Sequence, residues 1–83
     1  MESNLQYENS PNPTNDYFEV LISGYEKGTG VKVSLISTDG RVLKFREEQS
    51  QSFNIDVSHL PAGLYILKLN LNGINLHKKI VKL

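Results

Sequence analysis

The sequence predicts an all-β fold, an antiparallel β-sandwich of six to seven short strands, and three observations carry that reading. Apolar and polar residues alternate at period two in successive segments, turn-forming residues separate those segments, and no stretch has helical periodicity. Such alternation gives a sheet one face in a core and one in water.

Each element can be read in order. In Tyr17-Phe18-Glu19-Val20-Leu21-Ile22-Ser23, the side chains of Phe18, Val20 and Ile22 share a face, which predicts a strand over 17–23. Val31-Lys32-Val33-Ser34-Leu35 repeats the pattern and predicts a strand over 31–37, with another over 41–47. Phe53-Asn54-Ile55-Asp56-Val57 predicts 52–57. The longest apolar run, Leu64 to Leu71 with Lys68 and Asn70 as its polar members, predicts 63–71, and the last strand falls at 74–82. A seventh, short strand falls near 5–8. Between them, Asp39-Gly40 and Asn72-Gly73 accept the positive φ of tight hairpins. Gly24, Gly28 and Gly30 mark a looser connection, and Pro61-Ala62-Gly63 breaks the chain before its most apolar strand. Regular spacing of this kind is the pattern of an Ig-like sandwich. Phe18, Val20, Ile22, Val33, Leu35, Ile55, Tyr65, Leu67 and Leu69 form the expected core.

Length and composition bound the function. A chain of 83 residues supports one domain with one core and leaves little room for a deep catalytic cleft. Nine basic residues balance nine acidic ones, without the cationic excess a nucleic-acid binder needs. Cysteine is absent, which excludes disulfides, thiolate ligands and thiol nucleophiles. Met1-Glu2-Ser3-Asn4 lacks the basic start and apolar stretch of an export signal, so Met1 reads as the start of an expressed piece. Any export signal of the parent protein is expected upstream. No run approaches the ~20 apolar residues of a membrane-spanning helix, and direct membrane insertion is not expected. Residues 1–10 are mostly polar and read as the end of an interdomain linker, with the domain proper over 11–83.

No residue set points to catalysis, a metal or a cofactor. His59 and His77 lack neighbouring ligands at useful spacing and read as surface or strand-flank residues. Ser23, Ser34 and Ser58 lie in no nucleophile motif, and the glycines lack the strand–loop–helix context that cradles phosphate. Lys78, Lys79 and Lys82 form a basic cluster, with Lys78 and Lys82 on one face of the last strand and Lys79 on the other. On physical grounds alone they read as guards of an edge strand.

Four separated stretches change that balance. They are Ser10-Pro11-Asn12-Pro13-Thr14-Asn15-Asp16-Tyr17-Phe18, Ser37-Thr38-Asp39-Gly40-Arg41-Val42, Ile55 to Tyr65 with its Leu60-Pro61-Ala62-Gly63-Leu64-Tyr65, and Lys79-Ile80-Val81-Lys82. In order and spacing they resemble the type A C-terminal sorting domain of the type IX secretion system of Bacteroidota. Ser37 stands where that family usually has Asp, and Leu83 follows the terminal lysine.

The resemblance implies a secretion signal appended to a cargo protein. The cargo would pass through the periplasm and cross the outer membrane by way of a shuttle barrel and translocon. A sortase-like peptidase would then remove the domain, leaving the cargo on the cell surface or secreted. Translocon recognition is expected at Lys79, Ile80, Val81, Lys82 and Leu83, where a free strand end can engage a receptor. Trimming that end is expected to disturb the fold less than losing a central strand. Pro11, Asn12, Pro13, Asp39, Gly40, Arg41, Leu60, Pro61, Gly63 and Tyr65 are expected to serve the fold. Tyr65 is expected to place its ring in the core and its hydroxyl on a backbone partner. The rival reading is an Ig-like or fibronectin-like accessory module, a spacer or carbohydrate binder, with Tyr7 and Tyr25 as the candidate exposed aromatics.

Overall fold

A computed structural model describes residues 6–10 and 14–83. Seven strands are described: β1 (Gln6–Ser10), β2 (Tyr17–Ser23), β3 (Val31–Ser37), β4 (Val42–Glu48), β5 (Ser52–Asp56), β6 (Gly63–Leu71) and β7 (Ile74–Lys82). They form two antiparallel sheets, one of three strands in the order β1-β2-β5 and one of four in the order β4-β3-β6-β7. The all-β sandwich is therefore present, and β2, β3, β6 and β7 begin and end where the alternation placed them. Gln6–Ser10, in the stretch read as linker, pairs along its length with β2.

The core lies between the sheets because alternate side chains of each strand point there. Phe18, Val20, Ile22 and Ile55 come from one sheet, and Val33, Leu35, Tyr65, Leu67 and Leu69 from the other; all nine expected core residues are buried. Val31, Val57, Leu71 and Ile80 complete the cluster.

Local chemistry fixes the connections. Asn72 and Gly73, at φ 50° and 83°, turn the chain between the paired Leu71 and Ile74. Two consecutive positive φ values define a type I′ hairpin, whose twist matches that of the strands it joins. Between β3 and β4, Gly40 donates to the Ser37 carbonyl (3.0 Å) and Ser37 to that of Arg41 (2.9 Å), closing a longer turn. A register shift follows: Leu35 pairs with Lys44 and Ile36 with Val42, leaving Leu43 as a bulge. Leu43 thereby packs against the core while Phe45 faces water. At the end of β2, Gln51 binds Ile22 twice, accepting its N–H at 2.9 Å and donating its side-chain amide to its carbonyl at 3.0 Å.

Candidate functional site

The terminal strand is the candidate site, and its residues divide by face. β7 leaves the type I′ turn and pairs with β6 over nine positions, from Leu71↔Ile74 to Gly63↔Lys82. Ile80 lies opposite Tyr65 and is fully buried, whereas Lys79, Val81 and Leu83 are exposed and Lys82 is half-buried. The alternation puts Lys78 and Lys82 on the same side of the strand as Ile80, and Lys79 and Val81 on the outer side. Of the five residues expected to meet the translocon, Ile80 thus has its side chain in the core. Trimming residues 79–83 would remove this core residue and four of the nine β6–β7 pairs, so the fold depends on that end more than the sequence suggested.

The strand end is also not loose. Thr14 makes a parallel bridge to Lys82, donating its N–H to the Val81 carbonyl (2.9 Å) and accepting the Leu83 N–H (2.8 Å). The Thr14 side chain is buried, and its hydroxyl donates to the Tyr17 carbonyl (2.5 Å) at the start of β2. Lys82 Nζ donates to the Leu83 carbonyl oxygen (3.1 Å). One threonine therefore ties the first long strand to the last residues of the chain. Sequence reasoning missed this role, because nothing local to Thr14 signals a partner so distant along the chain. Pro11, Asn12 and Pro13, just before it, lie outside the described residues.

The remaining motif residues build two corners. In the first, the Ser37 hydroxyl donates to Asp39 Oδ1 and the Arg41 N–H donates to the Ser37 oxygen (3.2 Å). Arg41 lies 3.5 Å from Asp39. The Ser37 hydroxyl foremost, with the Arg41 guanidinium beside it, holds the Asp39 carboxyl below its ordinary value. In the second corner, Asp56 Oδ1 accepts the Ser58 N–H (2.9 Å), which holds that carboxyl low as well, and Leu60 donates to the Val57 carbonyl (3.0 Å). Leu60 packs against the core and Pro61 presents its carbonyl to the Tyr65 hydroxyl (2.5 Å). Gly63 has φ 154°, while a Cβ built on it would meet nothing within 4 Å. Its glycine serves the backbone angle and not a close approach.

Among the described residues, chemistry-bearing side chains do not converge. His59 and His77 are exposed on different elements, and among the described residues no group of three or more His, Cys, Asp or Glu side chains is placed to hold a metal ion. A surface depression lined by Lys32, Glu47, Glu48, Asn70 and Asn72 lies at the end of the four-stranded sheet away from the C-terminus. Among the described aromatics, Tyr17 and Phe45 are the exposed ones, on different sheets, and Tyr25 is half-buried with its hydroxyl on the Thr29 carbonyl (2.7 Å).

Residues 10–83 match the family of secretion system C-terminal sorting domains. A search of curated proteins finds no match.

Proposed function

Because the chain belongs to the type IX secretion C-terminal sorting domain family, a sorting signal for export across the outer membrane, we propose that its terminal segment is what the translocon reads. The observation that supports this is the arrangement of β7. Thr14 holds the backbone of Val81 and Leu83, so Lys79, Val81 and Leu83 offer their side chains in a fixed geometry. A receptor can engage that ordered set without first bearing the entropy of ordering a tail.

In this reading the cargo enters the periplasm on a separate signal, and the shuttle barrel of the type IX system receives the folded domain. A sortase-like peptidase cuts upstream of residue 11 and leaves the cargo on the cell surface or in the medium. The domain itself performs no chemistry and needs no cofactor. Family membership favours this reading over a spacer or carbohydrate module; the Tyr7 side chain lies outside the described residues, and among those described the two exposed aromatics sit on different sheets.

The test fuses the 83-residue chain to a reporter with a periplasmic export signal, in a bacterium with a working type IX system. Lys79→Ala, Val81→Ser and Leu83→Ser together should leave the reporter in the periplasm while the isolated domain keeps its melting temperature within a few degrees. The exported wild-type reporter should end, by mass, before residue 11. Normal export of the triple variant would refute recognition at the terminal segment, and a mature end after residue 13 would refute the linker as the processing site.

A further inference from the structure

The outer face of the four-stranded sheet carries an apolar surface that the core does not use. Register places Val42, Ile36, Ile66 and Lys79 in one row across β4, β3, β6 and β7. Leu64 and Val81 pair beside that row, and Phe45 lies next to it on β4. Val42 and Phe45 are each 59% exposed, Leu64 42% and Val81 39%, with Ile36 and Ile66 half-buried between them. This patch occupies the end of the sheet where the chain terminates, and Lys79 and Val81 belong to both the patch and the terminal segment.

The edges of this sheet are guarded while its face is not. Register turns Lys44, Arg46 and Glu48 of edge strand β4 toward the inner side, a placement that discourages strand addition. Arg46 donates to the Asn54 carbonyl, stands 3.0 Å from Glu48 and lies over the Phe53 ring. At the other edge, Thr14 occupies the backbone of Val81 and Leu83. Beside the patch, at this end of β7, a partner therefore meets side chains on the face.

Charge narrows the partner. The same face carries Lys68 and His77 in the row that holds Phe45, and Lys32 opposite Glu47 in the next, with Lys79 at the end of the apolar row. The outward residues of β2 and β5 instead include Glu19 and Asp56 and no Lys or Arg. A net-neutral chain thus has a basic outer face on one sheet and an acidic one on the other. We infer that the outer face of the β4-β3-β6-β7 sheet docks a protein surface of apolar side chains flanked by carboxylates, on the secretion apparatus. This deepens the sorting reading and rests on it. A lipid surface fits less well, because interfacial insertion favours protruding aromatic and aliphatic side chains. Here the apolar groups stand on paired strands of one sheet, none more than 59% exposed.

The same reporter fusion tests the inference. Val42→Ser with Phe45→Ser, and separately Lys68→Glu with Lys79→Glu, should each lower export by at least about tenfold, as expected for central interface residues. Tyr17→Ser with Leu21→Ser, on the opposite outer face, should export normally. All of these positions lie on outward faces, and the charge-reversal pair leaves the apolar groups intact should the serine pair unfold. Normal export of the charge-reversed reporter, with the domainless reporter retained in the periplasm, would overturn the docking face and leave the sorting function standing. Export of the domainless reporter would overturn both. Wild-type binding to phosphatidylglycerol vesicles that Lys68→Glu abolishes would overturn a protein partner in favour of a lipid surface. A chain dimer in sedimentation that Val42→Ser dissociates would assign the face to self-association and overturn it likewise.

Discussion

Ile80→Ala separates the structural from the recognition role of the terminal strand. Ile80 is fully buried opposite Tyr65 on an edge strand, where neighbours can collapse partway into the space left behind. Large-to-small core substitutions of this type cost about 2–5 kcal/mol, and an edge position argues for about 3 kcal/mol. A domain of 83 residues has a total stability of roughly 4–12 kcal/mol, so this one side chain holds a substantial fraction of it. At about 4–8 °C per kcal/mol for a domain of this size, the melting temperature should fall by roughly 12–24 °C. Val81→Ala, one residue later and on the outer face, should cost less than about 1 kcal/mol. Urea unfolding of the isolated chain measures both, with an unchanged slope showing that the transition remains two-state. A melting temperature for Ile80→Ala within a few degrees of wild type would refute the placement of this side chain in the core. The export assay then reads differently for the two variants: Ile80→Ala should fail through instability, and Val81 substitutions at full stability.

Three further outcomes are expected. Tyr65→Phe removes the hydroxyl that reaches the Pro61 carbonyl and should destabilise by about 1 kcal/mol in urea unfolding, with no change meaning the bond contributes nothing. Gly63→Ala places a Cβ at φ 154° and should cost about 1–3 kcal/mol through backbone strain although the space is open; a neutral result would discard the backbone argument. Asp39 and Asp56 have folded pKa values below the ordinary 3.8, so their contribution to stability is present above that value and is lost as pH falls below it through the folded values. The melting temperature should be flat from neutrality to about pH 5 as far as these groups decide it, and Asp39→Asn with Asp56→Asn should flatten the decline below pH 4. An unchanged decline would show that other carboxylates govern it.

The strands and the core were legible because each rests on a local pattern. Period-two alternation in β2, β3 and β6 puts Phe18, Val33 and Leu67 inside by geometry alone, and Asn72-Gly73 determines its own turn type. The bulge at Leu43 was not legible: an unbroken alternation puts Leu43 and Phe45 on one face, and the extra residue sends Phe45 outward. Of the candidate site, the position of the terminal segment was readable and the division of its faces partly so, since alternation separates Lys79 from Lys78 and Lys82. The buried state of Ile80 and the bridge from Thr14 depend on long-range packing that no local spacing encodes.

The proposed function requires that this domain be sufficient to direct export by the type IX system. Its most direct measurement is the location of a periplasm-targeted reporter with and without the 83-residue chain at its C-terminus, in a type IX-competent strain and in one lacking the translocon. The fusion should reach the cell surface or medium only in the competent strain, and the reporter alone should remain periplasmic in both. A fusion retained in the periplasm of the competent strain, or one exported without the translocon, would contradict the account.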